Sequence, residues 1–315
     1  MKITNANIKN FLRKTFRFGL FIPFSNIVLT YWQRKIPDKL LQFITRKRNV
    51  KIQNYLRDIV SKAIADNRPV PVPNITVDNA IWVCWLQGAD AMPPVTRICY
   101  DSICKHAKGH PVILLTQDNF HDYVMMPQNI ERLYTLGKIK PSHYADIMRV
   151  NLLAQQGGLW LDATMWLASP IDSAIFKMPF WSIHTPNDGY FVSQCRWAVF
   201  ALAAKRHNLL MVAVARCFDE YLKQTDTFID YFMFDQFIDM LQQQSPELHS
   251  MIEAIPINNI NVHKLDHLLT TIFNEDEYHR ITAGTQLFKL SYKSHTAEQL
   301  DDIPDNYYHY LAATL

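Results

Sequence analysis

The chain has 315 residues, 49% of them apolar, enough to bury a large core, which excludes an intrinsically disordered segment, a collagenous repeat and a disulfide-stapled mini-protein. Its net charge of +3 is unevenly spread: residues 1–57 carry thirteen Lys or Arg against one acid, Asp38, and the remainder nineteen bases against twenty-eight acids. Five cysteines (Cys84, Cys99, Cys104, Cys195, Cys217) with no Cys-x-x-Cys pair and no zinc-finger spacing indicate neither disulfides nor structural zinc, and residues 1–17 lack a secretory apolar core, so a reducing cytoplasm is expected.

The basic N-terminus points to an anionic surface, nucleic acid or the inner leaflet of a membrane. Residues 18–32 (FGLFIPFSNIVLTYW) are apolar and aromatic but interrupted by Pro23, Ser25 and Asn26. At fifteen residues the stretch falls short of the ~20 needed to span a bilayer. Two readings stand. The segment is either amphipathic and bound to an anionic membrane surface, where each nearby base contributes about 1 kcal/mol, or a helical hairpin packed on the body. No RNP, zinc or helix-turn-helix signature supports nucleic-acid binding. Residues 67–74 (NRPVPVPN) read as a linker, because three prolines remove backbone donors and disfavour helix on either side. The chain therefore divides into a basic, largely helical arm with its Pro-rich linker, 1–74, and a main domain, 75–315.

Residues 80–85 (AIWVCW) form a short apolar, β-branched and aromatic run expected to be a buried strand, and 111–115 (PVILL) a second. Between them, 94–108 is helix-like, which suggests a parallel α/β unit. Ser142 can cap a helix over 143–156, and Gly157-Gly158 supplies a left-handed stop. Residues 159–161 read as a strand ending at Asp162. Residues 180–183 and 190–193 are further strand candidates, and 208–224 and 226–244 look helical. Among eight glycines none builds G-x-G-x-x-G or a Walker A loop, so a dinucleotide fold or P-loop has no support.

The chemistry concentrates in 143–164 (HYADIMRVNLLAQQGGLWLDAT). Asp146 and Arg149 stand three residues apart on one helix face, a polar stripe on a mostly apolar helix. The glycine pair returns the chain into a strand whose carboxyl end carries Asp162, the position where open α/β sheets bind ligands. A carboxylate there can hold a divalent cation bridging two phosphates, with Thr164 able to donate or to hold a metal-bound water. Trp82 and Trp85, at period three, face opposite ways, and either can be core or a nucleobase platform. Gln87, Gly88 and Asn119 sit at strand ends, near enough to approach a nucleotide, although loop Asn is usually a turn former.

The string Ala145-Asp146-Ile147-x-Arg149, then Gly157-Gly158-Leu159-Trp160-Leu161-Asp162-Ala163-Thr164, resembles the capsular polysaccharide synthesis glycosyltransferases, relatives of the family that includes yeast initiating mannosyltransferases and the glucosylating clostridial toxins. The resemblance extends upstream to Trp82-x-x-Trp85-x-Gln87-Gly88 and downstream to Asp235-Gln236 and to Lys289-Leu290-x-x-Lys293. It implies an α/β domain of the GT-A type, a mixed, mostly parallel sheet flanked by helices, using a nucleotide-diphosphate sugar with Mn2+ or Mg2+ and transferring the sugar with retention. By position, Trp85, Gln87, Asp146, Arg149, Asp162 and Thr164 would bind the donor, and Asp162 would hold the metal as the first residue of an Asp-x-Asp motif. Thr164 stands at the second aspartate position, so one metal-ligating charge is missing. The late His that such enzymes often offer has no counterpart: Phe288 stands there, with His279 and His295 nearby, and no C-terminal ligand is assigned. Asp235 and Gln236 would be the catalytic pair near the sugar's reactive face. The implied function is hexose transfer, from UDP-hexose by family habit, to a capsule or lipopolysaccharide acceptor at the inner face of the membrane. The alternative, favoured by the missing aspartate and His, is a GT-A-like protein that binds glycan or nucleotide without turnover.

Overall fold

The computed structural model describes residues 5–32, 35–187 and 191–315. The basic N-terminus forms α1 (Asn5–Phe18), α2 (Phe21–Ile27) with a π-turn over Val28–Trp32, and α3 (Asp38–Ala65). No helix among the described residues is long and apolar enough to cross a membrane. Residues 66–80, including the prolines, hold neither helix nor strand. The main body then runs β1 (Ile81–Cys84), α4 (Pro94–His106), β2 (Val112–Leu115), α5 (Phe120–Tyr123), α6 (Gln128–Thr135), α7 (Pro141–Gln156), β3 (Gly158–Leu161) and β4 (Met165–Leu167). It continues through β5 (Phe180–Ser182), β6 (Ala201–Ala204), α8 (Leu209–Gln224), α9 (Met233–Gln244), α10 (Pro246–Glu253), α11 (Lys264–Leu268), α12 (Glu275–Thr282), β7 (Leu287–Lys289), α13 (Ala297–Asp301) and α14 (Tyr307–Ala313).

The main sheet has the order β2-β1-β3-β6-β5. β1 pairs parallel with β2 and β3, while β6 runs antiparallel to both β3 and β5, so four of the five strands point one way. Alternation buries both faces. Trp82, Trp160, Leu202 and Phe180 enter one core with the helices, and Ile81, Val83, Leu159, Leu161, Ala201 and Ala203 enter a second on the opposite face. This is the mixed, mostly parallel α/β architecture expected from the sequence.

α3 shares the first core. Ile52, Leu56, Ile59, Val60 and Ala63 follow helical spacing on one face, are fully or nearly fully buried, and pack that face on α8 and α9. Its Arg48 forms a buried ion pair with Asp230 and donates from Nε to Asn26 at 2.8 Å, tying α3 to α2 and to the loop before α9. The buried amide of Gln156 accepts from Val77 N at 3.2 Å and donates to the carbonyls of Ile75 and Tyr123. It thereby ties the segment after the linker to the body.

Helix α7 starts on Pro141, whose fixed φ suits the first helical position, with Lys140 as N-cap, so the expected cap Ser142 lies inside the first turn and caps nothing. It stops where expected. Gly157 and Gly158 have φ of +71° and +94°, and a Cβ on Gly158 would stand 2.5 Å from the Ala80 carbonyl and 2.7 Å from Trp82 Nε1. Gly158→Ala is therefore expected to cost at least ~3 kcal/mol, left-handed strain plus a backbone clash, read as a fall in Tm of ~5 °C or more.

Two further expectations are corrected, and strands that the sequence did not announce are added. Residues 226–232 are irregular, because the Tyr221 hydroxyl donates to Thr227 O and accepts from Ile229 N, and Thr225 Oγ1 takes the Thr227 N–H, so helix α9 begins only at Met233. Of the strand expected over 190–193, Tyr190 lies outside the described residues and 191–193 is bend and turn. β4, β6 and β7 have no counterpart among the predicted strands: β4 and β7 are three residues long, and in Ala201–Ala204 alanine gives no β signal. Cys99 and Cys217 are buried in the core clusters, and Cys104 is exposed.

Candidate functional site

The chain leaves β1 toward β2 on one side and returns as β3 on the other, so the carboxyl ends of β1 and β3 flank a topological switch point. Asp162 follows β3 directly. Its Oδ1 accepts from Arg149 Nη2 and Trp160 Nε1, each at 3.0 Å, and its Oδ2 from Lys289 Nζ at 3.0 Å. Arg149 Nη2 also reaches Asp146 Oδ1 at 3.3 Å, one turn back along α7. Its other terminal nitrogen donates to the Val199 carbonyl, and its guanidinium lies 4.9 Å from the Trp160 ring centre. The expected helix stripe and strand-end carboxylate thus meet in one cluster.

Lys289 is the residue that sequence reasoning missed. β7 pairs antiparallel with β4 so that Lys289 stands opposite Met165, and Leu290 N donates to Thr164 O at 2.9 Å. This small sheet carries the ammonium to Asp162 and to the Thr164 hydroxyl, with which it also hydrogen-bonds. The one available signal was the Lys289-Leu290-x-x-Lys293 string, which placed the residue in a motif without indicating its contact.

Burial sets the charges apart. For Asp162 burial pushes the carboxyl up, but the charges of Lys289 and Arg149 and the Trp160 and Lys289 hydrogen bonds outweigh it and hold it below its ordinary value. For Asp146 burial wins over Arg149, and the nearby Asp162 charge adds to it, lifting the carboxyl to about 6. Asp235, in the first turn of α9, is lifted to about 7 by burial, opposed by a 2.8 Å hydrogen bond from Trp197 Nε1 and reinforced by the charges of Asp146 and Asp230. Asp235 thus senses the cluster electrostatically.

Gln236 turns elsewhere. Its amide donates to Asn49 Oδ1 at 3.0 Å and accepts from Gln53 Nε2 at 3.2 Å, both on α3, so the two adjacent residues expected to act together serve different surroundings. Asn49 and Gln53 also line a polar cleft of about 380 Å³, together with Phe191, Asp239 and Gln243. Trp82 is fully buried and donates from its indole to Gly157 O at 2.8 Å, a core role. Trp85 lies past the end of β1, half-buried, edge-on to Tyr292 at 5.6 Å, and Gln87 after it is exposed. Asn119 closes a turn, accepting from Thr116 N and donating to Leu114 O. His295 pairs with Asp266 at 3.2 Å, and Phe288 is core.

The donor set does not fit a divalent cation. Mg2+ takes six oxygen ligands, one or two of them carboxylates and the rest waters and substrate phosphates, so the Asp162 carboxylate would have to turn a free oxygen to the ion. No group of three or more His, Cys, Asp or Glu able to hold a metal occurs among the described residues. Both oxygens of Asp162 and the hydroxyl of Thr164 face N–H donors, and the Lys289 ammonium occupies the position between them.

A comparison with curated proteins finds no match. Among solved structures, a "PaToxG Glycosyltransferase" is similar with a TM-score of 0.36 and 13% identity, covering 78% of this chain and 95% of that chain. The family model described as capsular polysaccharide synthesis protein matches residues 31–311, which include α3, the whole main sheet and every member of the Asp162 cluster. The chain belongs to the capsular polysaccharide synthesis family.

Proposed function

We propose that this protein is a retaining glycosyltransferase of the GT-A type, moving a hexose from a nucleotide-diphosphate sugar, UDP-hexose first among them, to a glycan acceptor of capsule or lipopolysaccharide. The observation that carries the reading is the Asp146–Arg149–Asp162–Lys289 cluster at the switch point, two carboxylates and two cations in a chain whose family makes polysaccharide. In the reaction the bond from the anomeric carbon to the β-phosphate oxygen breaks, its electron pair leaving with the nucleoside diphosphate. The acceptor oxygen bonds the same carbon and gives its proton to the departing phosphate. What a protein can add is position and charge, and the cluster offers both. Incubation with a panel of UDP- and GDP-hexoses, following nucleotide release and the anomeric configuration of the product, tests the reading. Release from one donor with retention supports it, whereas nucleotide binding without release from any donor favours the binding-protein alternative.

The N-terminal helices are proposed to rest on an anionic membrane surface, where lipid-linked acceptors reside. Ile8, Leu12 and Phe16 form an exposed stripe at i, i+4, i+8 on α1, with Phe16 97% exposed, and Leu20, Phe24, Ile27 and Tyr31 continue it. Lys14 and Arg17 reach inward to Ile229 O and Gln224 O, which turns the apolar stripe away from the body. Replacing Leu12 and Phe16 together by Asp is expected to weaken binding to phosphatidylglycerol-containing vesicles at least ~10-fold at fixed salt, measured by co-sedimentation.

A further inference from the structure

We propose that the Lys289 ammonium, fixed between Asp162 and Thr164, is the cation that receives the donor's diphosphate, so that nucleotide binding needs no divalent metal. The inference rests on the glycosyltransferase reading and names the group that would balance phosphate charge in it.

Three observations carry it. First, Lys289 Nζ makes the contacts that a cation ligated by an Asp-x-Thr motif would make, to Asp162 Oδ2 at 3.0 Å and to Thr164 Oγ1. One carboxylate and one neutral hydroxyl together match a singly charged cation. Second, the pairing of β4 with β7 and the Leu290 N to Thr164 O bond hold the Lys289 backbone beside Thr164, and the side chain reaches Asp162 and Thr164 from there. Third, Lys289 is the reachable cation of the cluster. Arg149 is 4% exposed, with both terminal nitrogens committed to Val199 O, Asp146 and Asp162. The Lys289 side chain is 22% exposed, beside an Asp162 side chain 27% exposed, and among the described residues two of its three N–H bonds are taken. A lysine is a point-charge phosphate binder and needs no fixed fork. Arg149 then has a positioning role, holding Asp162 so that Asp162 holds Lys289.

The test is calorimetric binding of UDP and of GDP to the full chain with EDTA and with Mn2+, repeated on Lys289→Met and on Lys289→Ala/Thr164→Asp. Met keeps the length and volume of the side chain, and circular dichroism with Tm reports whether each variant folds. The expected result is binding in EDTA within twofold of that in Mn2+, weakened at least tenfold in Lys289→Met. In the double variant, whose second carboxylate replaces the ammonium, UDP binding should become dependent on Mn2+, and Mn2+ alone should bind. Binding that requires Mn2+ in the unaltered protein overturns the proposal and leaves the glycosyltransferase reading standing. Metal-independent binding that Lys289→Met does not weaken also overturns it. Folded protein that binds neither nucleotide under either condition overturns both.

Discussion

Asp162→Asn is expected to reduce sugar transfer at least ~100-fold while leaving the protein folded, the scale of effect seen when one preorganised electrostatic contact is lost from a reaction centre. Both oxygens of this carboxylate face donors, Arg149 and Trp160 on one side and Lys289 on the other. An Asn amide therefore has no good orientation: whichever way it turns, its NH2 meets another N–H. Arg149 keeps Asp146 as a partner, and the Asp162 side chain is 27% exposed, so solvent takes up part of the loss. The stability cost should stay at roughly 1–2 kcal/mol, below that of breaking a fully buried pair. Transfer of a labelled hexose together with Tm measures both, and residual activity above a few per cent would remove Asp162 from the reaction.

The parts of this cluster that were legible from the sequence are those joined by short-range geometry. Asp146 and Arg149 are one helical turn apart, and a glycine pair followed by Leu-Trp-Leu fixes Asp162 at a strand end, so period and punctuation suffice. Lys289 lies 127 residues from Asp162, and its arrival depends on two three-residue strands, β4 and β7, too short to leave a periodic signal. The same holds for Trp197 and Asp235, 38 residues apart, and for Arg48 and Asp230, 182 apart. The division of Asp235 from Gln236 was likewise invisible, since adjacent helix residues point 100° apart but sequence does not say what lies in each direction. At the level of the fold, β1, β2, β3 and β5 announced themselves as runs of Val, Ile, Leu, Trp and Phe. Ala201–Ala204 did not, because alanine is depleted in strands and leaves no β signal in the sequence.

Asp235→Asn is expected to separate stability from activity, and pH is the variable that shows it. Burial lifts the Asp235 carboxyl from 3.8 to about 7. Below pH 4 the group is protonated in both folded and unfolded chains and contributes no difference. Between pH 4 and 7 the unfolded chain releases the proton and the folded one keeps it, so stability falls as pH rises. Above 7 the ionised group is buried in the fold and the cost is complete, at most about 4 kcal/mol for a displacement of this size. Asn retains an oxygen to accept the Trp197 N–H and never ionises. The variant should therefore gain about 2–3 kcal/mol more over the parent at pH 8 than at pH 5, read from urea midpoints. Asp146, lifted to about 6, adds its own fall in stability with pH, but both proteins carry it and the comparison largely cancels it. Activity should move the opposite way. If the ionised carboxylate stabilises positive charge at the anomeric carbon, transfer by the parent rises through pH 7 and the Asn variant is low and flat across it. An equal stability gain at both pH values would mean that the carboxyl titrates normally. A pH profile of transfer unchanged by the substitution would mean that the strain stored at Asp235 serves packing around Trp197 and not the reaction.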